Sequence, residues 1–263
     1  MKRSLKIRGF ESWLRDKKRA LVCLSGGVDS CALTVYCADI LGADNTVAFI
    51  GTAPYIIDSE IKFAVDLCKK LGVKFIKEDV SVDEIMQSNP PSRCFLCKRN
   101  IFMKAREKAD EAGVESVFDG TNYDDLGESR PGSAAKAEFD IESPFAKFCV
   151  VKSEVRKLLS YYGFAEIAGK PSATCFMTRL PTGARAKLSD FKIIKKTEDF
   201  LRQLGFDFSR ARKYPDRIEI QVPRARVPEL LQEQNAKKLG DFFAKNKVKN
   251  FEISREGYRH GCM

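Results

Sequence analysis

The sequence predicts an α/β protein with a parallel sheet covered by helices on both faces, followed by a small α+β domain. Short apolar segments alternate with amphipathic segments over the first two thirds of the chain, and this alternation is typical of parallel sheets. After residue 186 the order changes to helix, strand, strand, helix and strand. We therefore predict two domains, residues 1–186 and residues 187–263.

The elements of the larger domain follow one another regularly. The first strand, a Gly-rich turn and the first helix lie within 19–41; further strands are predicted at 45–52, 73–79 and 115–122, and further helices at 58–72, 97–113 and 151–164. Gly72 and Gly113 end two of these helices, as glycine commonly does.

The carboxyl ends of these strands are the expected ligand site, since ligands of open parallel sheets bind there. The candidate loops follow Leu24, Gly51 and Phe118. Residues 123–139 contain little apolar sequence and are predicted to form a mobile loop that orders over a ligand.

The smaller domain is predicted to contain an antiparallel hairpin that turns at Pro215 and Asp216. Its helices are predicted at 191–204 and 228–246, and its strands at 209–214, 217–223 and 248–254.

Composition narrows the function. Lys and Arg exceed Asp and Glu by 46 − 36 = 10, which favours anionic partners such as phosphorylated small molecules or nucleic acid. The single histidine, His260, argues against Ser-His-Asp catalysis and His-rich zinc sites. The chain has neither the run of about 18 apolar residues of a membrane helix nor an N-terminal signal segment. We therefore expect a cytoplasmic protein that does not contact membranes.

The segment "LSGGVDS", directly after the first predicted strand, is typical of a phosphate-binding loop. Gly26 and Gly27 allow backbone N–H groups to approach an anion, and the following helix directs its positive end to the same point. Ser25 and Ser30 add hydroxyl groups, and Asp29 is placed to hold Mg²⁺ beside phosphate oxygens. An ordinary capped turn is the alternative.

Six of the nine cysteines carry no signal for chemistry. Cys262 lies in the terminal tail. The other five lie on predicted strands, helices or apolar segments, and free cysteine there acts as a small buried apolar residue; they are Cys23, Cys31, Cys37, Cys68 and Cys149.

Cys94, Cys97 and Cys175 differ from the rest. The first two form a C-x-x-C pair before a predicted helix, where a helix amino end favours thiolates. Cys175 lies in an irregular Pro- and Gly-containing segment. Three thiolates without an obvious fourth suggest a 4Fe–4S cluster with one open iron. A metal-free redox pair, or zinc completed by Cys262 or His260, remains an alternative on the residues alone.

The loop "LSGGVDS" resembles that of the PP-loop ATP pyrophosphatases, which cleave ATP between the α and β phosphates and adenylate a substrate. Three further segments, "DGTNYDDLGESRPG", "KPSATCFMTRLPTG" and "RARKYPDRIEI", resemble the LarE sulfur transferases over nearly the whole chain. Those enzymes insert sulfur into a pyridinium biscarboxylic acid mononucleotide during synthesis of the nickel-pincer nucleotide cofactor.

The resemblance implies an ATP site and a metal site in the larger domain. The residues that match the ATP- and Mg²⁺-binding loop are Ser25, Gly26, Gly27, Asp29 and Ser30. Thr52 and Thr121, at the carboxyl ends of the second and fourth predicted strand segments, are expected to complete the ATP site.

The resemblance also implies roles for residues near the carboxyl end. Cys175 matches the sulfur-donating cysteine, Glu198 an acidic site residue, and Arg210 and Arg212 the arginines that bind the substrate phosphate. The smaller domain is accordingly expected to bind substrate or to support a homo-oligomer. The family's Cys-Leu-Ala-Ser-Arg is replaced here by Cys-Phe-Met-Thr-Arg, which keeps the hydroxyl and Arg179.

The C-x-x-C pair points to one branch of this family. Members that sacrifice a single cysteine sulfur do not need it, whereas a second branch holds a 4Fe–4S cluster on three cysteines with an extra sulfide on the open iron. On this resemblance Cys94, Cys97 and Cys175 bind the cluster. ATP is expected to adenylate the substrate carboxylate. A sulfide on the cluster's open iron, supplied by a donor, is then expected to attack the acyl adenylate and displace AMP.

Two alternatives remain. A PP-loop tRNA thiolase combines the same loop with a three-cysteine cluster and suits the net charge of +10. However, the sequence shows no aromatic and basic platform for RNA, so nucleic acid is not the expected partner. An adenine-nucleotide sensor with a structural metal would bind ATP without releasing pyrophosphate.

Lys98 and Arg130 are weaker candidates for phosphate contacts.

Overall fold

The computed structural model describes residues 5–80, 84–127, 135–170 and 173–258. The described residues fall into two compact units, the first within Met1–Val82 and Ser92–Ala173 and the second within Asp83–Pro91 and Thr174–Met263. Among these described ranges, no helix has the length and apolar character that spanning a bilayer requires.

The first unit is built on a five-stranded sheet in the order β3-β2-β1-β4-β5, with every neighbouring pair parallel. The strands are β1 (Ala20–Cys23), β2 (Thr46–Thr52), β3 (Lys74–Asp79), β4 (Ser116–Phe118) and β5 (Ile141–Glu142). This confirms the predicted α/β class. The two-residue strand β5 is too short to give a hydrophobic pattern and was not predicted.

Helices flank this sheet. They are α1 (Leu5–Asp16), α2 (Val28–Leu41), α3 (Asp58–Leu71), α5 (Arg93–Glu111), α6 (Ala135–Glu138), α7 (Pro144–Lys147), α8 (Lys152–Tyr161) and α9 (Ala165–Ala168), while α4 (Glu84–Gln87) belongs to the second unit. Helix α5 begins before the predicted 97–113, so the C-x-x-C pair lies within its first turns.

The core is centred on β1, which lies between two strands. Val22 of β1 pairs with Ala48 of β2 and with Phe118 of β4, and all three are fully buried. Ten of the 14 residues of α2 are buried as well. An apolar helix of this kind is fixed by packing on all sides, so the loop between β1 and α2 is held at both ends.

The segment predicted as a mobile loop at 123–139 contains regular structure. It includes a 3₁₀ turn at Asp124–Gly127 and the whole of α6. Residues 128–134, including Arg130, lie outside the described residues.

The second unit contains a three-stranded sheet in the order β6 (Arg210–Lys213), β7 (Ile218–Gln221), β8 (Phe251–Ile253). Strands β6 and β7 are antiparallel, and Tyr214 N–H donates to the carbonyl oxygen of Arg217 at 2.8 Å. The predicted hairpin is therefore confirmed.

The helices of the second unit are α4, α10 (Leu188–Gln203), α11 (Val227–Leu230) and α12 (Glu233–Lys245). The single helix predicted at 228–246 is wrong, because the backbone turns to an extended conformation at Gln232. The side-chain amide of Asn235 donates to the carbonyl oxygen of Glu229 at 2.9 Å and satisfies the end of α11.

The two units divide the chain differently from the boundary expected after residue 186. Residues 174–186 group with the second unit, together with the short segment Asp83–Pro91. The physical link is hydrogen bonding between these two segments, for example Ala186 N–H to the carbonyl oxygen of Gln87 at 2.7 Å.

Candidate active site

The loop between β1 and α2 is closed by its own hydroxyl groups. Ser30 Oγ accepts the backbone N–H of Ser25 at 3.1 Å and donates to the carbonyl oxygen of Gly27 at 3.1 Å. The two serine hydroxyls lie 3.1 Å apart. Gly27 is the N-cap of α2 and has no side chain to cover the amino end of this helix. Backbone donors and the positive end of α2 are therefore directed at one place.

Two glycines allow the backbones in this region to approach closely. Gly26 has φ +80°, and a Cβ there would lie 2.4 Å from the carbonyl oxygen of Glu60. A Cβ on Gly120, just after β4, would lie 2.6 Å from the backbone nitrogen of Ser30. Any larger residue at Gly26 would push the phosphate loop away from Glu60, and any larger residue at Gly120 would push the segment after β4 away from Ser30.

A cavity of about 260 Å³ lies at the carboxyl ends of β1, β2 and β4. Of the residues predicted for the ATP site, it is lined by Ser25, Gly27, Asp29, Ser30 and Thr121. Its apolar wall includes Phe49, Ile50, Ile56, Ile61 and Phe102, and Lys98 also lines it. The cavity thus has an apolar side and a polar side, the arrangement that binds a flat ring with attached anionic groups.

Asp29, in the first turn of α2, has two partners. Asn122 Nδ2 donates to its Oδ1 at 3.2 Å, and Lys152 Nζ forms an ion pair with its Oδ2. The side chains of this pair are 30% and 24% exposed, so a ligand can reach them. A carboxylate beside a phosphate-binding loop fits a hard cation such as Mg²⁺, which would compete with Lys152 for Asp29.

Lys170 supports the other side of the loop. Its Nζ donates to the carbonyl oxygen of Gly26 at 3.0 Å and forms an ion pair with Glu60 at 2.8 Å. Neither Lys152 nor Lys170 was identified from the sequence, because each is more than 100 residues from its partner in the loop.

Asp119 is a further polar residue that sequence reasoning missed. It lines the cavity at the end of β4, is 5% exposed, and accepts hydrogen bonds from the hydroxyls of Thr121 (2.6 Å) and Ser143. Lys136 donates to the Ser143 hydroxyl at 2.8 Å, and burial lowers the pKa of Lys136. The motif Asp-Gly-Thr after the fourth strand was the available signal for Asp119.

Thr52 lies apart from these residues. Its hydroxyl donates to the carbonyl oxygen of Glu78 at 3.1 Å, and it lines a neighbouring hollow rather than the 260 Å³ cavity. Its predicted role in the ATP site stays a prediction.

Cys94 and Cys97 lie in the first turns of α5. Their spacing of three residues places them on one face of the helix. Cys94 is exposed and Cys97 is partly exposed, and the hydroxyl of Tyr55 lies 3.5 Å from the Cys97 sulfur. Two accessible sulfurs at a helix amino end fit a metal or cluster that needs thiolates.

The remaining cysteines mostly match the predicted packing role. Cys31, Cys37 and Cys68 are buried, and burial raises the pKa of Cys31 to about 12 and that of Cys68 to about 11. Burial also raises the pKa of Cys23, and the negative charge of Asp119 raises it further.

The expected burial of Cys149 is wrong. Cys149 is exposed and has φ +53°, because it lies in the turn after α7 rather than on a strand. Cys262 and His260 lie outside the described residues.

In the second unit, Arg179 organises the loop that carries Cys175. Its Nη1 donates to the carbonyl oxygens of Thr174 (2.8 Å) and Cys175 (3.2 Å) and to the hydroxyls of Thr174 (2.6 Å) and Thr178 (2.9 Å). Thr178 also donates to the Cys175 carbonyl oxygen at 2.8 Å. The backbone on both sides of Cys175 is therefore fixed, while the residue itself is partly exposed.

Glu198 of α10 forms an ion pair with Arg179. Arg179 Nε lies 2.9 Å from Glu198 Oε1 and Nη2 lies 3.3 Å from Oε2. The Ala211 N–H donates to the same Oε1 at 3.1 Å. Glu198 is thus linked to Cys175 through Arg179.

Arg212 is 5% exposed and joins the same region. Its Nε donates to Gln221 at 2.7 Å and its Nη1 to the carbonyl oxygen of Thr178 at 3.2 Å. Arg212 is therefore a buried residue and not a solvated surface charge.

Arg210 lies against two aromatic rings. Its guanidinium carbon is 4.6 Å from the ring centre of Phe208 and 5.7 Å from that of Tyr258. Burial lowers the pKa of Arg210, and the nearby positive charge of Arg179 lowers it further. A bound anion would relieve this concentration of positive charge.

The second unit therefore brings Cys175, Glu198, Arg210 and Arg212 together around Arg179. The first unit brings together the predicted loop residues and Thr121. Within the described residues, no group of three or more His, Cys, Asp or Glu forms a metal site, and the predicted cluster stays a prediction.

The parallel sheet, with a Ser-Gly-Gly-Val-Asp-Ser loop at the end of its first strand, defines a PP-loop protein. Comparison with known proteins supports this class. The family model of NAD synthase matches residues 12–109. An NH(3)-dependent NAD(+) synthetase of Thermotoga neapolitana is 36% identical over 76 residues, which are 27% of this chain and 26% of that protein.

Other relatives match almost the whole chain. The uncharacterized protein MJ0830 of Methanocaldococcus jannaschii is 33% identical, covering 97% of this chain and 98% of that protein. The pyridinium-3,5-bisthiocarboxylic acid mononucleotide synthase of Lactiplantibacillus plantarum is 27% identical, covering 94% of this chain and 86% of that protein. The chain belongs to the LarE-type family of PP-loop proteins, which confirms the resemblance seen in the sequence.

Proposed function

We propose that this protein is an ATP-dependent sulfur transferase of nickel-pincer nucleotide synthesis. Its substrate would be pyridinium-3,5-biscarboxylic acid mononucleotide, and its products the thiocarboxylate, AMP and pyrophosphate. The observation that carries the proposal is the match to the Lactiplantibacillus plantarum synthase over 94% of the chain.

The first step is adenylation at the cavity of the first unit. A substrate carboxylate oxygen attacks the α-phosphorus of ATP, the bond to the β-phosphate oxygen breaks, and pyrophosphate leaves. The loop Ser25–Ser30 offers backbone N–H groups and the positive end of α2 to the phosphates. Adenylation is needed because a carboxylate would otherwise have to expel oxide.

The chain's charged residues fit this step. Asp29 would hold Mg²⁺, which neutralises the developing charge on the phosphates. With a metal ion on Asp29, Lys152 would no longer be held by its ion pair and could bind the pyrophosphate. The apolar wall at Phe49 and Ile61 suits an adenine ring.

In the second step a sulfur nucleophile forms a bond to the acyl carbon, and AMP leaves with one carboxylate oxygen. Cys94, Cys97 and Cys175 would hold a 4Fe–4S cluster, which would supply sulfide from its open iron. The donor set fits, because accessible thiols are the ligands that such clusters use. Arg179 and Thr178 hold the Cys175 backbone, which restricts the positions that its sulfur can reach.

Arg210 and Arg212 are proposed to bind the phosphate of the mononucleotide. Both lie in β6 beside the Cys175 loop. Arg212 is buried and Arg210 is half-buried, and reduced contact with water strengthens charge-assisted bonds to an anion. Glu198 is proposed to act through Arg179 rather than on the substrate.

The test is an anaerobic preparation assayed for iron, acid-labile sulfide and pyrophosphate release. The assay uses ATP with the biscarboxylate mononucleotide, and in parallel ATP with tRNA. We expect iron, and pyrophosphate release that depends on the mononucleotide. Cys175→Ala should abolish thiocarboxylate formation, whereas Cys149→Ala, an exposed cysteine outside the site, should leave it unchanged.

Other outcomes would favour other functions. Pyrophosphate release with tRNA alone would support the tRNA thiolase, which the net charge of +10 also suits. ATP binding without pyrophosphate release would support a nucleotide sensor. The cytoplasmic location and the homo-oligomeric state stay predictions.

A further inference from the structure

Asn89 is a fully buried polar residue of the second unit that the proposed reaction does not use. Its side-chain Nδ2 donates to three carbonyl oxygens: those of Met177 (3.4 Å), Leu180 (3.2 Å) and Pro181 (2.9 Å). A single amide group thus forms hydrogen bonds with three carbonyl oxygens of the turn that follows Cys175 in the chain.

The backbone of Asn89 adds to this attachment. Its carbonyl oxygen accepts the N–H of Gly183 at 2.9 Å. Its φ of +50° lies in the left-handed region, which asparagine tolerates better than most residues. Both the conformation and the donor group therefore suit asparagine at this position.

The other polar atom of the side chain is not satisfied. Asn89 Oδ1 is buried and has no hydrogen-bond partner within the described residues. A buried oxygen without a donor is costly, so a polar side chain that merely filled space here would be unfavourable. The stabilising contribution of Asn89 comes from its N–H groups and the carbonyls that they hold.

The position of Asn89 in the chain gives these bonds a consequence. Met177 follows Cys175 by two residues, and Asn89 precedes Cys94 by five. We infer that Asn89 is a positioning residue for the Cys175 loop (Thr174–Pro181), and that it attaches this loop to the segment leading into the C-x-x-C pair. The effect on a cluster rests on the proposed function, whereas the effect on the Cys175 loop does not.

The first test uses the metal-free full-length protein. The rate at which iodoacetamide modifies Cys175 is followed by peptide mass spectrometry. Asn89→Ala should raise this rate about tenfold, the effect expected when a side-chain hydrogen bond to a buried group is lost. The control is Asn235→Ala, which removes an amide-to-carbonyl bond elsewhere in the same unit and should leave the rate unchanged.

A second variant separates the amide from the backbone. Asn89→Gly keeps the positive φ without strain but removes the Nδ2 donor. We expect it to raise the Cys175 modification rate as Asn89→Ala does. A wild-type rate in Asn89→Gly would overturn the inference, because the backbone conformation alone would then hold the loop. If Asn89→Ala does not fold, the glycine variant still decides the question.

The third measurement concerns the cluster. After anaerobic reconstitution, Asn89→Gly should bind several-fold less iron and show a weaker cluster absorbance than wild type, with Asn235→Ala as the control. Equal iron binding in Asn89→Gly and wild type would overturn the link to the C-x-x-C segment. If wild-type protein binds no iron, the proposed function fails, and the alkylation rates still test the role of Asn89 in the loop.

Discussion

Arg179 and Glu198 form a two-point ion pair inside the second unit, with Nε to Oε1 at 2.9 Å and Nη2 to Oε2 at 3.3 Å. Their side chains are 1% and 8% exposed. The remaining donors of Arg179 hold the backbone around Cys175. A buried charge of this kind is tolerated only while its partner is present, because an isolated one is strongly disfavoured in a low dielectric.

Removal of Glu198 is therefore expected to destabilise the protein. Glu198→Ala leaves the Arg179 guanidinium buried without its carboxylate, and we expect a loss of about 3 kcal/mol in the free energy of unfolding. The measurement is urea unfolding followed by circular dichroism. The matched control is Glu252→Ala, which breaks a solvent-exposed pair with Arg217 and should cost far less stability. Equal losses in the two variants would contradict the proposed role of the buried pair.

The glycine contacts around the phosphate loop predict a second result. A Cβ at Gly26 or Gly120 would lie within 3 Å of backbone atoms, so either alanine variant must shift the loop. Such a displacement is expected to lower pyrophosphate release by about 100-fold. Gly240→Ala serves as the control, since a Cβ there meets no atom within 4 Å. Wild-type rates in Gly26→Ala would show that the loop does not bind the reacting phosphates.

The ion pair between Lys152 and Asp29 predicts a change in metal affinity. Lys152→Met removes the ammonium that competes for the Asp29 carboxylate. We expect Mn²⁺, used as a spectroscopic probe without nucleotide, to bind about fivefold more tightly, as suits a partly exposed pair. Pyrophosphate release should nevertheless fall, because the cation for the leaving group is lost.

The control for Lys152 is Lys147→Met. Lys147 forms an exposed pair with Glu142 at 3.3 Å, away from Asp29. It should change neither Mn²⁺ affinity nor pyrophosphate release. Unchanged Mn²⁺ affinity in Lys152→Met would show that Asp29 is not the metal ligand.

The buried thiols predict a dependence of stability on alkaline pH. Burial raises the pKa of Cys68 to about 11 and that of Cys31 to about 12, above the ordinary value near 9. At a pH between the ordinary pKa near 9 and these raised values, the thiols lose their protons in the unfolded chain but keep them in the folded chain. The stabilisation is therefore complete below about pH 9 and is lost as pH rises through the folded-state values.

The measurement is the free energy of unfolding between pH 8 and pH 11. Wild type should lose stability across this range, and Cys68→Ala should lose it less steeply, by at most about 1.4 kcal/mol per pH unit. At pH 8 iodoacetamide should modify Cys94 and Cys149 but neither Cys31 nor Cys68. Identical pH slopes for wild type and Cys68→Ala would contradict the prediction.

Part of the candidate site could be predicted because it is local in the chain. The loop from Ser25 to Ser30 closes on itself through hydrogen bonds between residues at most five positions apart. The glycines and hydroxyl groups that form the loop can therefore be recognised within one short segment of the sequence. The hairpin at Pro215 and Asp216 was predictable for the same reason.

Contacts between distant parts of the chain were not predictable. Lys152 is 123 positions from Asp29, and no local pattern pairs the two. Cys149 was expected to be buried because its neighbours are apolar, yet the turn after α7 exposes it. Apolar neighbours alone do not determine on which side of a turn a residue lies.

The sequence by itself determined the α/β class, the phosphate loop and the family. Hydrophobic periodicity and glycine placement act over a few residues and are written directly in the chain. The tertiary structure alone decided that Glu198 holds Arg179 and that Asn89 joins the Cys175 loop. These contacts link residues 19 and 92 positions apart, and they depend on which buried polar groups meet once the apolar segments have packed.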